Sequence, residues 1–493
     1  MNQLIEEEVD IYEFPDVDPI NNVNANLKDS ELTIGDLHAN TMKLIYMLIK
    51  HGIASGIDAK DYKKLVEIYL TPNEDLTEEI LNEFNNILDK MQFNNSVGLI
   101  RLIGDELADR GSNDYFTLKV FEKLEQHGVK LEILVSNHGY EFIRYGETKS
   151  DFHLIDPRSQ FVSLTKLLFL IDNNRFVSVS RDKIIEIAKK AYLPNLKAIS
   201  YSIDEDTSEM IIYTHAAIDL KRIQELAISM GILGRKDKTI KDLANTIDKI
   251  NSKFQEYITN KTVSTLCSPH KDSPLEFLMW NRDYAGLIRP TEYNGYNLKF
   301  VHGHDSGYDD LQDNFYNCNL DNTLGKTLKH NKGTYTVLYS KPSQLDPSQK
   351  SFLVQLREIK TKEEKLRKNH HPKAADAALL LYKTVYKEAY MFFNNHENND
   401  EKKFEEFKNK CSKAIETAHK ELDKHRGWKQ ILGNLALAVI GLGVLYAGAV
   451  VVNKAVTGNY LFFNKTDSAN KVDKLEAALR AVTKATQATK PHE

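Results

Sequence analysis

Cysteine is scarce: three in 493 residues, Cys267, Cys318 and Cys411. They are too few and too scattered for a disulfide framework or a CxxC zinc site, and a reducing compartment fits that usage. Positive charge is not in excess either. Lys and Arg number 65 against 70 Asp and Glu, a formal charge of -5, so no nucleic-acid partner is expected. Internal repeats are missing. Met1–Ser30 is acidic and turn-rich rather than basic and then apolar. No Sec-type signal is expected from it, and residues 1–30 read as a loosely ordered leader. The length suits two to three domains at roughly 100–200 residues each.

What is present begins with IRLIGDELADRG, Ile100–Gly111. An apolar run delivers Asp105 to the end of a strand, and Asp109 and Arg110 follow on the next turn. Four other stretches share this build: TIGDLHAN (Thr33–Asn40), LVSNHGYE (Leu134–Glu141), IIYTHAAID (Ile211–Asp219) and FVHGHDS (Phe300–Ser306). Each is an apolar strand followed by Asp, Asn or His. Helix patterns alternate with these strands, as in Asn113–His127 stopping at Gly128. Strand counting alone therefore suggests a layered, doubly wound α/β sheet with ligands outside the strand ends.

The five ends carry a consistent chemistry. Asp36 and His38, two apart in extended chain, point the same way. Asp105 can bridge two cations through its two oxygens. Asn137 offers a neutral oxygen, and His215 and His304 offer imidazoles. This thiolate-free N/O set suits manganese, iron or zinc. Two such ions about 3.5–4 Å apart can clamp a phosphate and generate a hydroxide nucleophile. Arg110 and Arg282 can bind phosphate oxygens. His138 can protonate a leaving alcohol, with Asp109 orienting it.

Residues 54–95 read as a helical hairpin inserted between the first two strands, with Thr71–Asp75 as its turn. A last strand, Thr334–Ser340, closes the 31–358 domain. Residues 359–430 change to Lys- and Glu-rich helical patterning, a hairpin with Asn394–Asp400 at its tip. Residues 431–452 are uncharged and apolar, about the 20 residues that a bilayer span needs, with Trp428, Lys429, Tyr446 and Lys454 near the ends as interfacial anchors. Membrane contact is expected there, against the alternative of a buried core helix. Residues 453–493 are a polar tail with one amphipathic helix around Lys474–Lys484.

GDLH, GDELADRG, SNH, THAA and HGH, in that order, resemble the motifs of the PPP-type metallophosphoesterases, the phosphoprotein phosphatase family. The resemblance covers roughly residues 31–342. It implies a metallophosphoesterase-like β-sandwich flanked by helices, rather than a doubly wound sheet. It implies metal ligation by Asp36, His38, Asp105, Asn137, His215 and His304, the acid role for His138 with Asp109, and phosphate binding by Arg110 and Arg282. Ala39, Ser136, Gly139 and the pair Ala216-Ala217 depart from the family pattern without removing a ligand. The insert and the helical C-terminal extension resemble the Wip-type bacterial effector phosphatases, which a type IV system delivers into host cells without a Sec signal. The expected function is dephosphorylation of phosphoserine or phosphothreonine with two divalent ions, manganese foremost. The expected place is the cytoplasmic face of a host membrane, the endolysosomal one among the candidates. Alternatives are a phosphotyrosine phosphatase, a dinucleoside polyphosphate hydrolase, and a membrane-associated scaffold whose phosphatase domain only binds.

Overall fold

Short strands alternate with helices in the first half of the chain, and their order explains where the polar motifs land. In the computed structural model, residues 2–17, 30–93, 98–148, 161–173, 178–205, 207–232, 237–267, 273–284, 286–290, 292–305, 317–340, 347–393 and 401–446 are described. The chain divides into two units, Met1–Pro342 and Ser343–Glu493.

In chain order the first unit contains β1 (Asn2–Asp10), β2 (Glu31–Ile34), α1 (Thr41–Lys50), β3 (Ala54–Ser55), α2 (Ala59–Leu70), α3 (Glu78–Lys90), β4 (Gln92–Phe93) and β5 (Leu99–Leu102). There follow α4 (Asp114–Gln126), β6 (Leu131–Leu134), α5 (Asn137–Thr148), α6 (Val162–Asp172), α7 (Arg181–Ile187), β7 (Leu196–Lys197), β8 (Ser200–Asp204) and β9 (Glu209–Tyr213). The unit ends with α8 (Leu220–Ser229), α9 (Ile240–Asn260), α10 (Pro274–Trp280), β10 (Glu292–Tyr293), β11 (Tyr296–His302), β12 (Asn317–Asn319) and β13 (Lys332–Ser340).

These strands form two main sheets, not the single doubly wound sheet that strand counting suggests. One has six strands in the order β1-β13-β2-β5-β6-β7; the other has five, β10-β11-β9-β8 with β12 also on β11. The sheets meet through a cluster drawn from both: Leu134 and Leu338 from one, Ile211, Tyr213 and Val301 from the other, with Ile103 and Leu320 beside them. Arg101 of β5 crosses the same layer, its guanidinium 3.9 Å from the Tyr213 ring centroid and 2.8 Å from Ser200 Oγ. Helices supply the remaining cover. Asn40 caps α1 by accepting from Lys43 N, and Asn113 caps α4 by accepting from Tyr115 N, which satisfies N–H groups the helices leave open.

Register sets the function. β2 runs parallel to β5, with Ile34 opposite Leu102, and β5 parallel to β6, with Leu102 opposite Ile133. β9 and β11 are parallel with Tyr213 opposite Val301. Parallel neighbours in step finish at one level, so Asp36, Asp105 and Asn137 leave one sheet together, and His215 and His304 leave the other.

Two expectations are corrected. Residues 2–10 are not part of a loose leader: β1 pairs antiparallel with β13 along nine residues, Asn2↔Ser340 to Asp10↔Lys332. The acidic run hides a strand because an edge strand needs mainly backbone pairing, and Glu7 and Asp10 face Lys50 and Lys332. The first unit also ends before residue 358, since α11 (Pro347–Lys368) already belongs to the second. Phe352, Leu353, Leu356 and Ile359 are buried at helical spacing. The insert consists of α2 and α3, with β3 and β4 paired at its base.

The second unit holds α11, α12 (Pro372–Phe393), α13 (Glu401–Leu422) and α14 (Trp428–Tyr446). Each packs on its chain neighbour and α14 returns to α11, a closed four-helix arrangement rather than a single hairpin. Trp428, Ile431, Leu432, Leu435, Val439 and Leu442 of α14 are buried, the i, i+3, i+4, i+7 stripe of a core helix. Among the described residues, no helix is long and apolar enough to cross a membrane. The hairpin tip Asn394–Asp400, residues 447–452 and the polar tail lie outside the described residues.

Candidate metal centre

Asp36, His38, Asp105, Asp109, Asn137, His138, His215 and His304 are all buried at these strand ends. The backbone turns sharply to place them. His38, Ala39, Asp105, Ala108 and His304 have φ of 56°, 53°, 54°, 56° and 77°, a left-handed conformation that costs non-glycine residues roughly 1–2 kcal/mol each and collects at functional sites. Two glycines make room. A Cβ on Gly303 would lie 1.9 Å from Asp36 Oδ1, and one on Gly104 would lie 2.6 Å from His215 Nδ1.

One set of donors surrounds His215. Its Nε2 lies 2.8 Å from Asn137 Oδ1, 3.1 Å from His304 Nδ1 and 3.5 Å from Asp105 Oδ1. Its Nδ1 faces the Ile103 carbonyl at 3.2 Å. Burial holds both imidazoles neutral, with the pKa values of His215 and His304 pulled down to about 3. A neutral imidazole is the form that binds a cation.

A second set adjoins it. His38 Nδ1 is 3.2 Å from Asp109 Oδ2, and its Nε2 is 3.3 Å from Asp321 Oδ1. Burial pulls His38 down, but the Asp109 and Asp321 carboxylates outweigh it and push its pKa up to about 10. Burial first, then Asp321 and Asp105, push the Asp36 carboxyl well above the usual range. The ligand atoms fall into three overlapping groups, each within 4.8 Å: Asp36, His38 and Asp321; Asp36, Asp105 and His215; His38, Asp105 and Asp109. Asp105 joins two of them.

The residues fit cations on a direct test. Asp36 Oδ1, Asp105 Oδ1, Asp109 Oδ1, Asp321 Oδ1 and His304 Nε2 are buried with no hydrogen-bond partner among the described residues. Native proteins leave few buried polar atoms so, and cations among the Asp36, Asp105 and Asp321 carboxylates would satisfy their free oxygens. The buried Asp/His clusters could thus hold metal ions.

The model of a WipA-like phosphatase domain matches residues 99–326. Among solved structures, the chain is similar to the phosphatase domain of the Legionella effector WipB, at 32% identity and a TM-score of 0.51, covering 56% of this chain and 99% of that one. The chain belongs to the WipA-like phosphatase family. No curated protein matches it. The chain thus carries a phosphatase domain, and the remaining groups can be placed around the buried cluster.

In this phosphatase, His138 has Nδ1 3.0 Å from the Ala108 carbonyl and Nε2 3.4 Å from Asp109 Oδ1. Although burial raises it, Asp109 is held down at about 2 by His138, His38 and Arg110, so it stays anionic. Ala108 is fixed in turn, its N–H donating to both oxygens of buried Asp114 at 3.1 and 3.0 Å. Arg110 is a quarter exposed, with Nε 3.7 Å from Asp109 Oδ1. Arg282 is the outlier: 59% exposed, 3.6 Å from Asp305 Oδ2, it sits at the rim. Its neighbour Asn281 ties that rim to the His215 loop by donating to the Ala217 carbonyl at 2.7 Å.

Sequence reasoning missed Asp321. It follows the polar strand β12, so no apolar run announced it. Leu320 beside it, buried between the sheets, was the available signal.

Proposed function

We propose that the protein is a metal-dependent phosphoprotein phosphatase acting on phosphoserine and phosphothreonine, built on a metallophosphoesterase-like β-sandwich. The observation that carries this reading is the convergence of Asp105, Asn137 and His304 on His215 Nε2 within 3.5 Å. Asp36, His38, Asp105, Asn137, His215 and His304 would hold two divalent ions, manganese before iron or zinc. When bound, such ions supply Lewis acidity to phosphoryl oxygens and bring the pKa of a water toward 7. The chain's own groups do the rest. Arg110 offers a planar pair of donors to the non-bridging oxygens, and Arg282 meets them from the rim. His138, held by the Ala108 carbonyl and charge-stabilised by Asp109, delivers a proton to the leaving alcohol oxygen as the P–O bond breaks.

A phosphotyrosine preference is the second reading, and the insert favours it. Tyr69 OH accepts from Ser112 N at 3.3 Å, and Asn113 donates to Asn73 Oδ1 at 2.9 Å. The α2–α3 hairpin therefore borders the turn that carries Arg110 and can deepen the groove there. Matched phosphoserine, phosphothreonine and phosphotyrosine peptides, offered with Mn2+ to the full chain and to His138→Ala, decide between them. Release from none of the peptides by the wild type sinks both.

We further read the protein as an effector secreted by a type IV system and acting at a host membrane. Its similarity to a Legionella effector supports the first part. The half-buried apolar residues Ala436, Leu437 and Ile440 of α14 support the second, together with residues 447–452. Leu437→Glu with Ile440→Glu should reduce co-sedimentation with anionic vesicles; unchanged partitioning removes the membrane role of this face.

A further inference from the structure

Asp321 stands among the phosphatase ligands without belonging to any of the motifs that define them. Its side chain is 2% exposed, and Oδ1 lies 3.3 Å from His38 Nε2. That oxygen and Asp36 Oδ1 are both buried with no hydrogen-bond partner among the described residues, and the two carboxylates and the imidazole put ligand atoms within 4.8 Å of one another. Two buried carboxylates at such range repel unless a cation stands among them.

The surrounding chain holds Asp321 in place. Leu320 N donates to the His302 carbonyl at 2.8 Å, and the Leu320 carbonyl is so near Gly35 that a Cβ there would lie 2.0 Å from its oxygen. Asp321 N donates to Asn319 Oδ1 at 3.0 Å. Buried Lys43 then ties the two ligand loops together, Nζ donating to the Asp36 carbonyl at 2.7 Å and the Leu324 carbonyl at 3.1 Å. A fixed ammonium beside the carboxylates offsets part of their charge.

We infer that Asp321 is a fourth protein ligand, with Asp36, His38 and Asp105, of one of the two cation sites. That site then carries three carboxylates and one imidazole. The other, with Asp105, Asn137, His215 and His304, carries one carboxylate and two imidazoles. Oxygen-rich sites suit Mn2+ and Mg2+, and imidazole-rich ones suit Zn2+. The two sites are chemically unequal, and Asp321 makes them so.

This inference rests on the two-cation reading, and calorimetric titration of the metal-stripped full chain separates the two. Wild type should take up two equivalents of Mn2+. Asp321→Asn should lose about tenfold or more in affinity at one equivalent, keep the other, and lose the preference for Mn2+ over Zn2+ at the weakened one. In EDTA it should melt no lower than wild type, because like charges are relieved, while its Mn2+-induced rise in melting temperature shrinks. Asp321→Ser, smaller and equally neutral, should repeat the pattern if the amide packs badly. Two wild-type-like Mn2+ equivalents in both variants overturn the assignment of Asp321 alone. Absence of Mn2+ binding by the wild type overturns the two-cation reading and Asp321 with it.

Discussion

The helical unit and the strand-end site both bury carboxylates, and they treat them in opposite ways. Glu363 of α11 is almost fully buried, with Lys360 Nζ at 2.9 Å and Arg367 Nε at 2.8 Å. Its charge is compensated within one helix, at i−3 and i+4 spacing. Asp36, Asp105, Asp109 and Asp321 each leave a buried oxygen without a hydrogen-bond partner among the described residues. The first arrangement needs nothing from outside the chain. The second could take up a cation, and perturbed, unsatisfied groups of that kind mark function.

Substituting at each place should separate stability from activity. In the proposed arrangement Asp105 serves both cation sites, so Asp105→Asn should cost the most. A loss of several kcal/mol in transition-state stabilisation, roughly a thousandfold or more in turnover, is expected. The metal-free melting temperature should not fall, since repulsion with Asp36 and Asp109 is removed. A variant retaining a tenth of wild-type turnover would break the contrast.

Leu435→Ala is the counterpart in the bundle. Leu435 is fully buried in α14, and truncating a buried leucine typically costs about 2–5 kcal/mol. Thermal unfolding should show the helical unit melting earlier while phosphatase turnover stays within about twofold. Unchanged melting would place Leu435 outside a packed core and revive a lipid-facing α14.

How much of this the sequence revealed depends on how local each signal is. Asp36, Asp105, Asn137, His215 and His304 each follow an apolar run, and the strand register brings them together as that spacing implies. Pairing was not legible. Nothing local says that the acidic Asn2–Asp10 stretch finds β13 more than three hundred residues away, or that Asp321, after the polar β12, returns to His38. The second sheet was hidden for the same reason: β8, β10 and β12 are short and carry no motif, and the packing of two sheets is a long-range fact. The apolar 431–452 run posed a different problem. Uniform hydrophobicity does not record which face of α14 is covered, and its 428–442 portion buries one stripe in the bundle.

Acid should distinguish imidazoles by environment. His51 is buried with Nε2 2.9 Å from Tyr335 OH, and burial, aided by Lys50, pulls it down to about 3. A free histidine titrates near 6.5. Between pH 6.5 and 3 the unfolded chain therefore binds a proton that the folded chain refuses. Stability falls as pH drops through that window, by up to about 1.4 kcal/mol per pH unit for each such histidine. His51→Gln keeps a polar contact to Tyr335 and should flatten the acid limb by about one proton. Because His51 is no ligand, the flattening should be the same with and without Mn2+. A metal-dependent difference would mean that His51 communicates with the cluster, and the contrast between site and scaffold would blur.

The smallest effect concerns Ala39. Ala39 is fully buried at φ 53°, donating to the Asp105 carbonyl at 2.7 Å, and its own carbonyl crowds Gly111, where a Cβ would lie 1.8 Å away. A left-handed alanine costs roughly 1–2 kcal/mol. Glycine would relieve that but lose roughly 0.5–1 kcal/mol through chain entropy, and the buried methyl is worth about 0.8 kcal/mol. The terms nearly cancel, which explains why alanine is tolerated at a turn that must also present His38. Ala39→Gly should leave melting temperature and turnover almost unchanged. A loss above about 2 kcal/mol would show that the methyl packs beyond its area, and that this strand end is held by core contacts, as the bundle is.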